Sequence, residues 1–225
     1  GGKVGVNLKA GKNLVGAFYQ PRLVLCDLAT LDTLPIREFR AGLAEVIKYG
    51  IIYDAKLFAQ LEQNLKSILE RESKLLASIV ARCCEIKAEV VSQDETESGL
   101  RAILNFGHTI GHAIEAISGY GNYLHGEAIS IGQVAAAKIS VQTSGLSEAE
   151  ANRIEELFAA AGLPTTIKLS PVQRRNLFGA MQLDKKVSNG EIKFVLAQKT
   201  GKVRFGRTVS TALIKAALKC DKQLT

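Results

Sequence analysis

The residue types that could carry chemistry are concentrated in one short stretch of the 225-residue chain. All three histidines fall there, as His108, His112 and His125. Imidazole is the commonest metal ligand among protein side chains and the group that titrates nearest neutral pH. Histidines placed only for packing would not usually cluster, so this stretch predicts a metal site or an acid/base site.

A predicted helix over residues 99–117 carries two of these histidines on a polar stripe. At 100° per residue, four of its polar side chains lie within about 60° of one another. They are Arg101, Asn105, His108 and His112. The flanking positions are mostly apolar, so the stripe is predicted to line a cleft inside the protein. A buried hydrogen-bonded network, or one exposed edge of the helix, is the alternative.

The metal ligands can be chosen in more than one way. His108 and His112 are four residues apart and could share a metal, but the glutamate of H-E-x-x-H is absent, so the signal is weak. A catalytic metal takes three protein ligands, so His125 and a carboxylate are candidates too. Glu45 and Lys48 are charged residues in a strongly apolar predicted helix. Because a buried carboxylate is costly unless paired or ligating, Glu45 is either a ligand or the partner of Lys48 in a simple helix ion pair.

Apolar residues that recur near every 3.6 positions predict a mainly α fold, a multi-helix bundle. The predicted helices span residues 37–52, 54–69, 73–93, 99–117, 126–143 and 147–161, and a last one spans about 210–219. Several begin at serine or aspartate, which cap helices well. A short strand is predicted near the amino terminus at 23–26, and a small hairpin near the carboxy terminus at 192–196 and 202–205.

Composition describes an ordinary globular chain, with 47% hydrophobic and 23% charged residues. Its net charge of +7 comes from 29 basic and 22 acidic residues, without a dense basic run. This balance favours anionic small-molecule ligands and argues against nucleic-acid binding. No apolar stretch approaches the roughly 20 residues of a membrane span, and no signal peptide is visible. We therefore expect a cytoplasmic protein without a membrane partner.

The cysteines Cys26, Cys83, Cys84 and Cys220 lack the C-x-x-C spacing of metal and redox motifs. They are expected to be small buried residues in a reducing compartment. The only methionine is Met181 and the chain opens with two glycines, so we expect that further residues precede it in the natural protein.

Five short runs make the chain similar to 3-dehydroquinate synthase, a family of sugar phosphate cyclases. They are residues 1–3 (GGK), 11–18 (GKNLVGAF), 37–48 (REFRAGLAEVIK), 104–112 (LNFGHTIGH) and 125–128 (HGEA). The resemblance covers essentially the whole chain and corresponds to the carboxy-terminal half of the enzyme. It implies that residues 1–35 are the tail of a nucleotide-binding domain and a linker. Residues 36–225 would then be a helical metal- and substrate-binding domain.

The resemblance also implies two cofactors, NAD and a metal that is Zn²⁺ or Co²⁺. The family's metal ligands match Glu45, His108 and His125, whereas His112 faces the substrate. Helical spacing alone would have favoured His112 as a ligand. Ligands from three separate elements would hold a metal where helices meet and leave room for two substrate oxygens.

The implied reaction converts 3-deoxy-D-arabino-heptulosonate 7-phosphate, a seven-carbon keto-acid sugar phosphate, to 3-dehydroquinate and phosphate. An alcohol is oxidised, phosphate is eliminated, the ketone is reduced again, and the opened ring closes in an aldol step. The metal would acidify the hydroxyl that is oxidised. The substrate's own phosphate is a plausible base for the elimination, so the protein mainly positions the substrate and holds its charges.

Matches to the family assign roles to further residues. Catalytic roles fall on Lys48, Glu97, Asn105 and His112. Substrate binding falls on Lys3, Asn13, Lys87, Arg101, Lys185 and Lys186. The dinucleotide would be touched by Lys3, Lys12, Thr30, Leu31, Asp32 and Thr33. The planar guanidinium of Arg101 suits the substrate's carboxylate.

Two alternatives stay open. Other sugar phosphate cyclases use substrates without a carboxylate, but the presence of Lys87, Arg101, Asn105 and His112 together favours the dehydroquinate reaction. A chain without its nucleotide-binding domain could also be a non-catalytic metal-binding or dimerisation module. We expect this chain alone to bind zinc with negligible turnover, and the resemblance implies a homodimer.

Overall fold

The computed structural model describes residues 1–8, 11–97, 99–119, 122–184 and 192–218, and it confirms a mainly α fold with two small antiparallel hairpins. The α-helices are α1 (Ile36–Ile52), α2 (Ala55–Leu69), α3 (Ser73–Gln93), α4 (His108–Ser118), α5 (His125–Thr143), α6 (Glu148–Ala160), α7 (Pro171–Asp184) and α8 (Thr211–Leu218). The strands are β1 (Lys3–Leu8), β2 (Gly11–Phe18), β3 (Lys193–Lys199) and β4 (Lys202–Thr208). Two 3₁₀ segments are Leu28–Leu31 and Leu100–Asn105.

Two helices begin at capping residues that the sequence indicated. The Asp54 carboxylate accepts hydrogen bonds from the N–H groups of Lys56 and Leu57 at the start of α2. The Ser147 hydroxyl accepts one from the N–H group of Glu150 at the start of α6. Each bond satisfies an N–H group that has no partner inside its helix, which fixes where the helix starts.

Helix α5 lies between two hydrophobic clusters. Val134 and Ala137 pack on one side, with side chains of α1, α2, α3 and α6. Ile131 and Ala135 pack on the other side, with side chains of α4, α7, α8 and β3. The helix is therefore buried over most of its circumference by the protein itself. None of the described helices combines the length and the apolar composition that a membrane span requires.

The first segment of the chain exposes apolar side chains. Strands β1 and β2 form an antiparallel ribbon in which Lys3 is paired with Phe18. After the ribbon the chain is extended, and Leu23 and Leu25 are 80% and 85% exposed. Contiguous exposed apolar surface of this kind is typical of an interaction surface.

The hairpin predicted near the carboxy terminus is confirmed, as β3 and β4. The strand predicted at 23–26 is wrong, because this apolar run has no strand beside it among the described residues to share backbone hydrogen bonds. The expectation of a strand near the amino terminus is confirmed by β1 and β2, which lie earlier in the chain than predicted. Helix α7 was not predicted, since its first turns are rich in polar residues and give a weak apolar pattern.

The expectation that the cysteines are buried is wrong for those that the structure describes. Cys26 and Cys84 are exposed, and Cys83 is half-buried. Cys26 belongs to the peripheral segment before α1, and its Sγ lies 4.0 Å from the Sγ of Cys84 on α3. Cys220 lies outside the described residues.

Candidate metal and substrate site

The segment that carries His108 and His112 is not one continuous helix. Leu100–Asn105 is a 3₁₀ turn, and α4 begins at His108, directly after Gly107. Gly107 has a φ of +77°, and a Cβ there would lie 2.4 Å from Gln133 Cγ and 2.6 Å from Gln133 N. Only glycine fits this left-handed and crowded position. The prediction that one helix carries four polar residues on a single face is therefore wrong. Arg101 and Asn105 lie on the 3₁₀ turn, whereas His108 and His112 lie on α4.

The break lies against α5 and near α1. A Cβ on Gly132 of α5 would lie 2.1 Å from the carbonyl oxygen of Gly107, so the two backbones are in close contact. The side chain of Gln133 donates a hydrogen bond of 3.0 Å to the carbonyl of Ala44 on α1. These contacts bring the start of α4 and the middle of α5 beside Glu45.

Three predicted ligands converge from three helices. Glu45 lies on α1, His108 is the first residue of α4, and His125 is the first residue of α5. The Nε2 atoms of both histidines lie 3.4 Å from the same oxygen, Glu45 Oε1. The three side chains offer ligand atoms within 4.8 Å of one another. One carboxylate and two imidazoles are a donor set found in catalytic zinc sites.

The side chain of Glu45 is half-buried, and its two carboxylate oxygens differ in their contacts. Its Oε2 accepts a hydrogen bond from Lys48 Nζ, whereas its Oε1 has no hydrogen-bond partner. Burial alone would raise the pKa of Glu45, but His108, His125 and Lys48 bring it well below its usual range, so the group is ionised. The two imidazole nitrogens lie 3.4 Å from Oε1 without forming a well-aligned hydrogen bond to it, so a cation bound there would satisfy this charged oxygen more fully. The residues present therefore fit a metal ion.

The two histidines differ in how readily they lose a proton. Burial is the main cause that lowers the pKa of His108, so its ring is neutral at neutral pH and can bind a metal directly. The hydrogen bond to Glu115, and then the contact with the Glu45 carboxylate, raise the pKa of His125 to about 9. Metal binding at neutral pH would therefore displace a proton from His125.

A second set of possible ligands shares His125 and consists of His112, Glu115 and His125. The ring centroid of His112 lies 5.3 Å from that of His108 and 5.9 Å from that of His125. Glu115 Oε2 lies 3.0 Å from His125 Nδ1. Sequence analysis missed Glu115, although its position three residues after His112 was a usable signal, because such residues share a helix face.

A cavity of about 230 Å³ lies beside Glu45 and His108. The predicted site residues that line it are Lys3, Glu45, Lys48, Lys87, Glu97, Arg101, Asn105 and His108. Four of these side chains are cationic and two are acidic, so the cavity suits an anionic ligand. The lysine on α1, Lys48, is only 4% exposed, and burial is the main cause that lowers its pKa.

Glu97 holds two other polar side chains of the cavity. It forms an ion pair with Lys3, and its Oε1 accepts a hydrogen bond of 2.8 Å from Asn105 Nδ2. Its backbone φ is +62°, a left-handed conformation that residues other than glycine rarely adopt. Such conformations persist where the surroundings enforce them, and they concentrate at functional sites.

Arg101 is a buried cation that the backbone holds in place. It is 4% exposed, and it donates hydrogen bonds of 2.6 Å to the carbonyl of Glu95 and 2.7 Å to the carbonyl of Gly1. Its own N–H group donates to Asp94 Oδ2 at 2.8 Å. These bonds fix the orientation of the guanidinium on the cavity wall and connect it to the first residue of the chain.

Two groups of predicted site residues remain. Four residues at the end of the first 3₁₀ segment do not line this cavity in the described part of the chain; they are Thr30, Leu31, Asp32 and Thr33. Lys12 and Asn13 lie on β2, but the structure does not describe their side chains. Lys185 and Lys186 lie outside the described residues.

The chain matches two family models along most of its length. The model described as 3-dehydroquinate synthase C-terminal matches residues 42–187, and the one described as 3-dehydroquinate synthase N-terminal matches residues 1–41. Similar curated proteins include the 3-dehydroquinate synthases of Nitrosomonas europaea, 52% identical over 218 residues, and Desulforamulus reducens, 50% identical over 220 residues. The alignments cover 97% of this chain but only 58% and 60% of these relatives. The chain thus spans about three fifths of their length.

Solved structures of related cyclases share the fold. One is the 2-epi-5-epi-valiolone synthase ValA from Streptomyces hygroscopicus subsp. jinggangensis with NAD⁺ and Zn²⁺ bound, at 29% identity and a TM-score of 0.85, covering 97% of this chain and 60% of that one. Another is a 2-deoxy-scyllo-inosose synthase complexed with carbaglucose-6-phosphate, NAD⁺ and Co²⁺, at 31% identity and a TM-score of 0.81, covering 95% and 60%. With the matches above, these likenesses show that the chain belongs to the 3-dehydroquinate synthase family.

Proposed function

We propose that this member of the 3-dehydroquinate synthase family forms the metal- and substrate-binding part of a 3-dehydroquinate synthase. The whole enzyme would be a carbon–oxygen lyase that converts 3-deoxy-D-arabino-heptulosonate 7-phosphate to 3-dehydroquinate and phosphate, in the shikimate pathway of aromatic amino acid biosynthesis. The observation that carries the proposal is the convergence of Glu45, His108 and His125 beside a cavity lined by cations.

The proposed metal ligands are Glu45, His108 and His125. They would hold Zn²⁺ or Co²⁺, the ions bound in the two related cyclases. Oε1 of Glu45 supports this assignment, because it accepts no hydrogen bond and lies 3.4 Å from both imidazole nitrogens. When bound, the ion supplies Lewis-acid chemistry that lowers the pKa of a substrate hydroxyl.

The cationic side chains of the cavity would bind and orient the two charged ends of the substrate. In this proposal Lys3 and Lys48 serve the phosphate end, together with Asn13 and one of Lys185 and Lys186. Lys87 and Arg101 serve the carboxylate, for which a guanidinium is the best-matched partner. A cation held by backbone carbonyls, as Arg101 is, needs little reorganisation when an anion arrives.

Three further residues would handle protons and hydroxyl groups of the substrate. His112 lies beside the proposed ligand His108, at a ring-centroid distance of 5.3 Å, and would exchange a proton with the substrate. Asn105 and Glu97 are joined by a hydrogen bond of 2.8 Å at the cavity and would fix the position of the substrate's hydroxyl groups.

Three of the residues proposed to touch the dinucleotide lie apart from the cavity lining. Thr30, Asp32 and Thr33 are exposed and are not among the residues that line the cavity beside Glu45. We propose that NAD binding also requires the part of the complete enzyme that this chain does not span, which is about two fifths of the length of its relatives.

Residues 1–35 would be the tail of that dinucleotide-binding part and a linker, and residues 36–225 the helical domain. The exposed apolar side chains of the first segment, such as Leu23 and Leu25, support this division. We also propose that the complete protein works as a homodimer in the cytoplasm, and light scattering tests the dimer.

The function is tested by measuring phosphate release from 3-deoxy-D-arabino-heptulosonate 7-phosphate with NAD⁺ and Zn²⁺ present. We compare the 225-residue chain with the same chain joined to the amino-terminal part of the N. europaea relative. We expect the joined protein to release phosphate and the chain alone to show negligible turnover. A joined protein that folds but releases no phosphate would contradict the proposed reaction, and turnover by the chain alone would contradict the need for the missing part.

Another sugar phosphate cyclase activity is the second candidate, because the related structures are cyclases with other products. Arg101 separates the two in the joined protein. If Arg101 binds a substrate carboxylate, Arg101→Lys will weaken binding of the carboxylate-bearing substrate much more than binding of a decarboxylated analogue. An equal loss of affinity for both compounds would favour the second candidate.

A further inference from the structure

The carboxylate of Glu115 touches a proposed metal ligand from the side away from Glu45. Its side chain is 20% exposed on α4, and its Oε2 lies 3.0 Å from His125 Nδ1. The other ring nitrogen, Nε2, lies 3.4 Å from Glu45 Oε1. The imidazole of His125 therefore lies between two carboxylates.

Hydrogen-bonding capacity decides which nitrogen of His125 is free to bind a metal. An ionised carboxylate only accepts hydrogen bonds, so the bond to Glu115 requires a proton on Nδ1. In the neutral ring Nε2 then keeps its lone pair, on the side where Glu45 lies. A metal ligand needs such a lone pair.

His108 shows the same arrangement with a different acceptor. Its Nδ1 lies 3.1 Å from the carbonyl oxygen of Phe106, and its Nε2 lies 3.4 Å from Glu45 Oε1. A carbonyl oxygen also only accepts, so this ring is protonated at Nδ1 as well. Both imidazoles thus direct Nε2 to one oxygen, and an acceptor behind each ring holds it there.

His125 depends on such an acceptor more than His108 does. The side chain of His108 is 12% exposed, whereas that of His125 is 47% exposed. A half-exposed side chain has more conformations available, and fixing one of them costs entropy when a ligand binds. An acceptor that already restrains the ring lowers that cost.

We propose that Glu115 is a positioning residue, which orients His125 and sets its tautomer so that Nε2 binds the metal. The inference rests on the proposed metal site and deepens it, because the family motifs gave Glu115 no role. Loss of a carboxylate behind a metal-binding histidine typically weakens metal affinity about 10- to 100-fold.

The experiment measures the affinity of the 225-residue chain for Zn²⁺ by competition with a chromophoric chelator. We expect Glu115→Ala to weaken binding about 10- to 100-fold. Glu115→Gln should lose less zinc affinity than Glu115→Ala, because the amide oxygen of glutamine still accepts a hydrogen bond from His125 Nδ1. In ¹⁵N NMR spectra of the zinc-loaded chain, the protonated Nδ1 of His125 should be visible, and its proton should exchange faster in Glu115→Ala.

The matched control is Glu155→Gln, which removes another partly buried carboxylate, paired with Lys138 at 2.8 Å. It should leave zinc affinity unchanged, and thermal unfolding of the zinc-free chains shows whether every variant folds. Zinc affinity in Glu115→Ala equal to that of the unchanged chain overturns the positioning role. A loss as complete as in His108→Ala overturns it too, since Glu115 would then be a ligand.

The outcome also separates this inference from the proposed function. If Glu45→Ala and His108→Ala lose zinc while Glu115→Ala keeps it, only the role of Glu115 is wrong. If the unchanged chain binds no zinc, the metal site fails and this inference fails with it.

Discussion

The three histidines differ in the atoms that contact their rings. His108 is restrained by a backbone carbonyl, and His125 by a carboxylate, and both direct Nε2 to Glu45. The ring of His112 lies beside them, with its centroid 5.3 Å from that of His108. At the scale of single residues, the proposed division of the histidines follows from the acceptors behind His108 and His125.

The first prediction concerns this division of the histidines. Glu45→Ala, His108→Ala and His125→Ala should each lose bound zinc after equilibrium dialysis, because each removes one of three ligands. His112→Ala is the control and should retain zinc. Metal analysis of the dialysed proteins measures the outcome. Retention of zinc by His125→Ala, together with its loss from His112→Ala, would mean that the second ligand set holds the metal.

At the scale of secondary structure, the interruption before α4 matters most for the site. Gly107 ends the 3₁₀ turn with a left-handed backbone and lets α4 start at His108. A continuous helix would have kept Arg101 and Asn105 on the same face as His108 and His112. The break instead lets the 3₁₀ turn line the cavity while α4 places His108 beside Glu45 of α1 and His125 of α5.

The second prediction tests this break. Gly107→Ala should destabilise the chain by about 2 kcal/mol or more. The alanine backbone would have to keep a φ of +77°, which is strained for this residue, and its methyl group would lie 2.4 Å from Gln133 Cγ. Gly179→Ala is the control, since no atom lies within 4 Å of its added Cβ. Within helix α7 it should stabilise by up to about 1 kcal/mol. Urea unfolding measures both, and equal stability of the two variants would contradict the prediction.

The third prediction concerns the contact between α2 and α3. Asp54 caps α2 and accepts a hydrogen bond of 2.7 Å from Arg82 on α3. Burial opposes ionisation of Asp54, but Arg82 and the capped N–H groups bring its pKa below the ordinary 3.8. A lowered pKa in the folded state stabilises the fold above the unfolded-state pKa, and this contribution disappears as pH falls through the folded-state pKa.

Asp54→Asn keeps a good helix cap but removes the charge that Arg82 contacts. At neutral pH it should lower the free energy of unfolding by about 0.5–1 kcal/mol, and the difference should vanish in strong acid. Asp27→Asn, at a 3₁₀ cap without an ion pair among the described residues, should show no such pH dependence. Urea unfolding at several pH values measures both. A difference for Asp54→Asn that persists at low pH would exclude the ion pair as its cause.

At the scale of the whole molecule, the proposed metal would join three helices. Glu45, His108 and His125 come from α1, α4 and α5; α1 packs in the first hydrophobic cluster, α4 in the second, and α5 in both. An ion held by all three can bind only when the helices are packed together. Metal binding should therefore stabilise the complete fold rather than one segment of it.

The fourth prediction follows from this geometry. Zinc at 100 times its dissociation constant should stabilise the chain by about 2.7 kcal/mol and raise its unfolding temperature. His108→Ala should show no such rise at the same zinc concentration. Thermal unfolding followed by circular dichroism measures both, and an unchanged midpoint for the parent chain would contradict a site that spans the three helices.

Much of this protein could be predicted from local patterns. Helices α1, α2, α3, α5 and α6 were found within a few residues, because apolar periodicity and caps such as Asp54 and Ser147 act over one or two helical turns. The family motifs named Glu45, His108 and His125 together. Those patterns did not find the break at Gly107, the ribbon of β1 and β2, or helix α7.

What only the tertiary structure decided depends on contacts between distant parts of the chain. The break requires glycine at position 107 because its backbone lies against Gln133, which is 26 positions further along. Glu45 reaches two histidines more than 60 positions away because α5 packs between the cluster that holds α1 and the cluster that holds α4. The sequence by itself determined which side chains can do chemistry, since residue type sets donor atoms and charge. Which nitrogen faces Glu45, and that Glu115 lies behind His125, came only from packing, because no local pattern encodes the orientation of a ring.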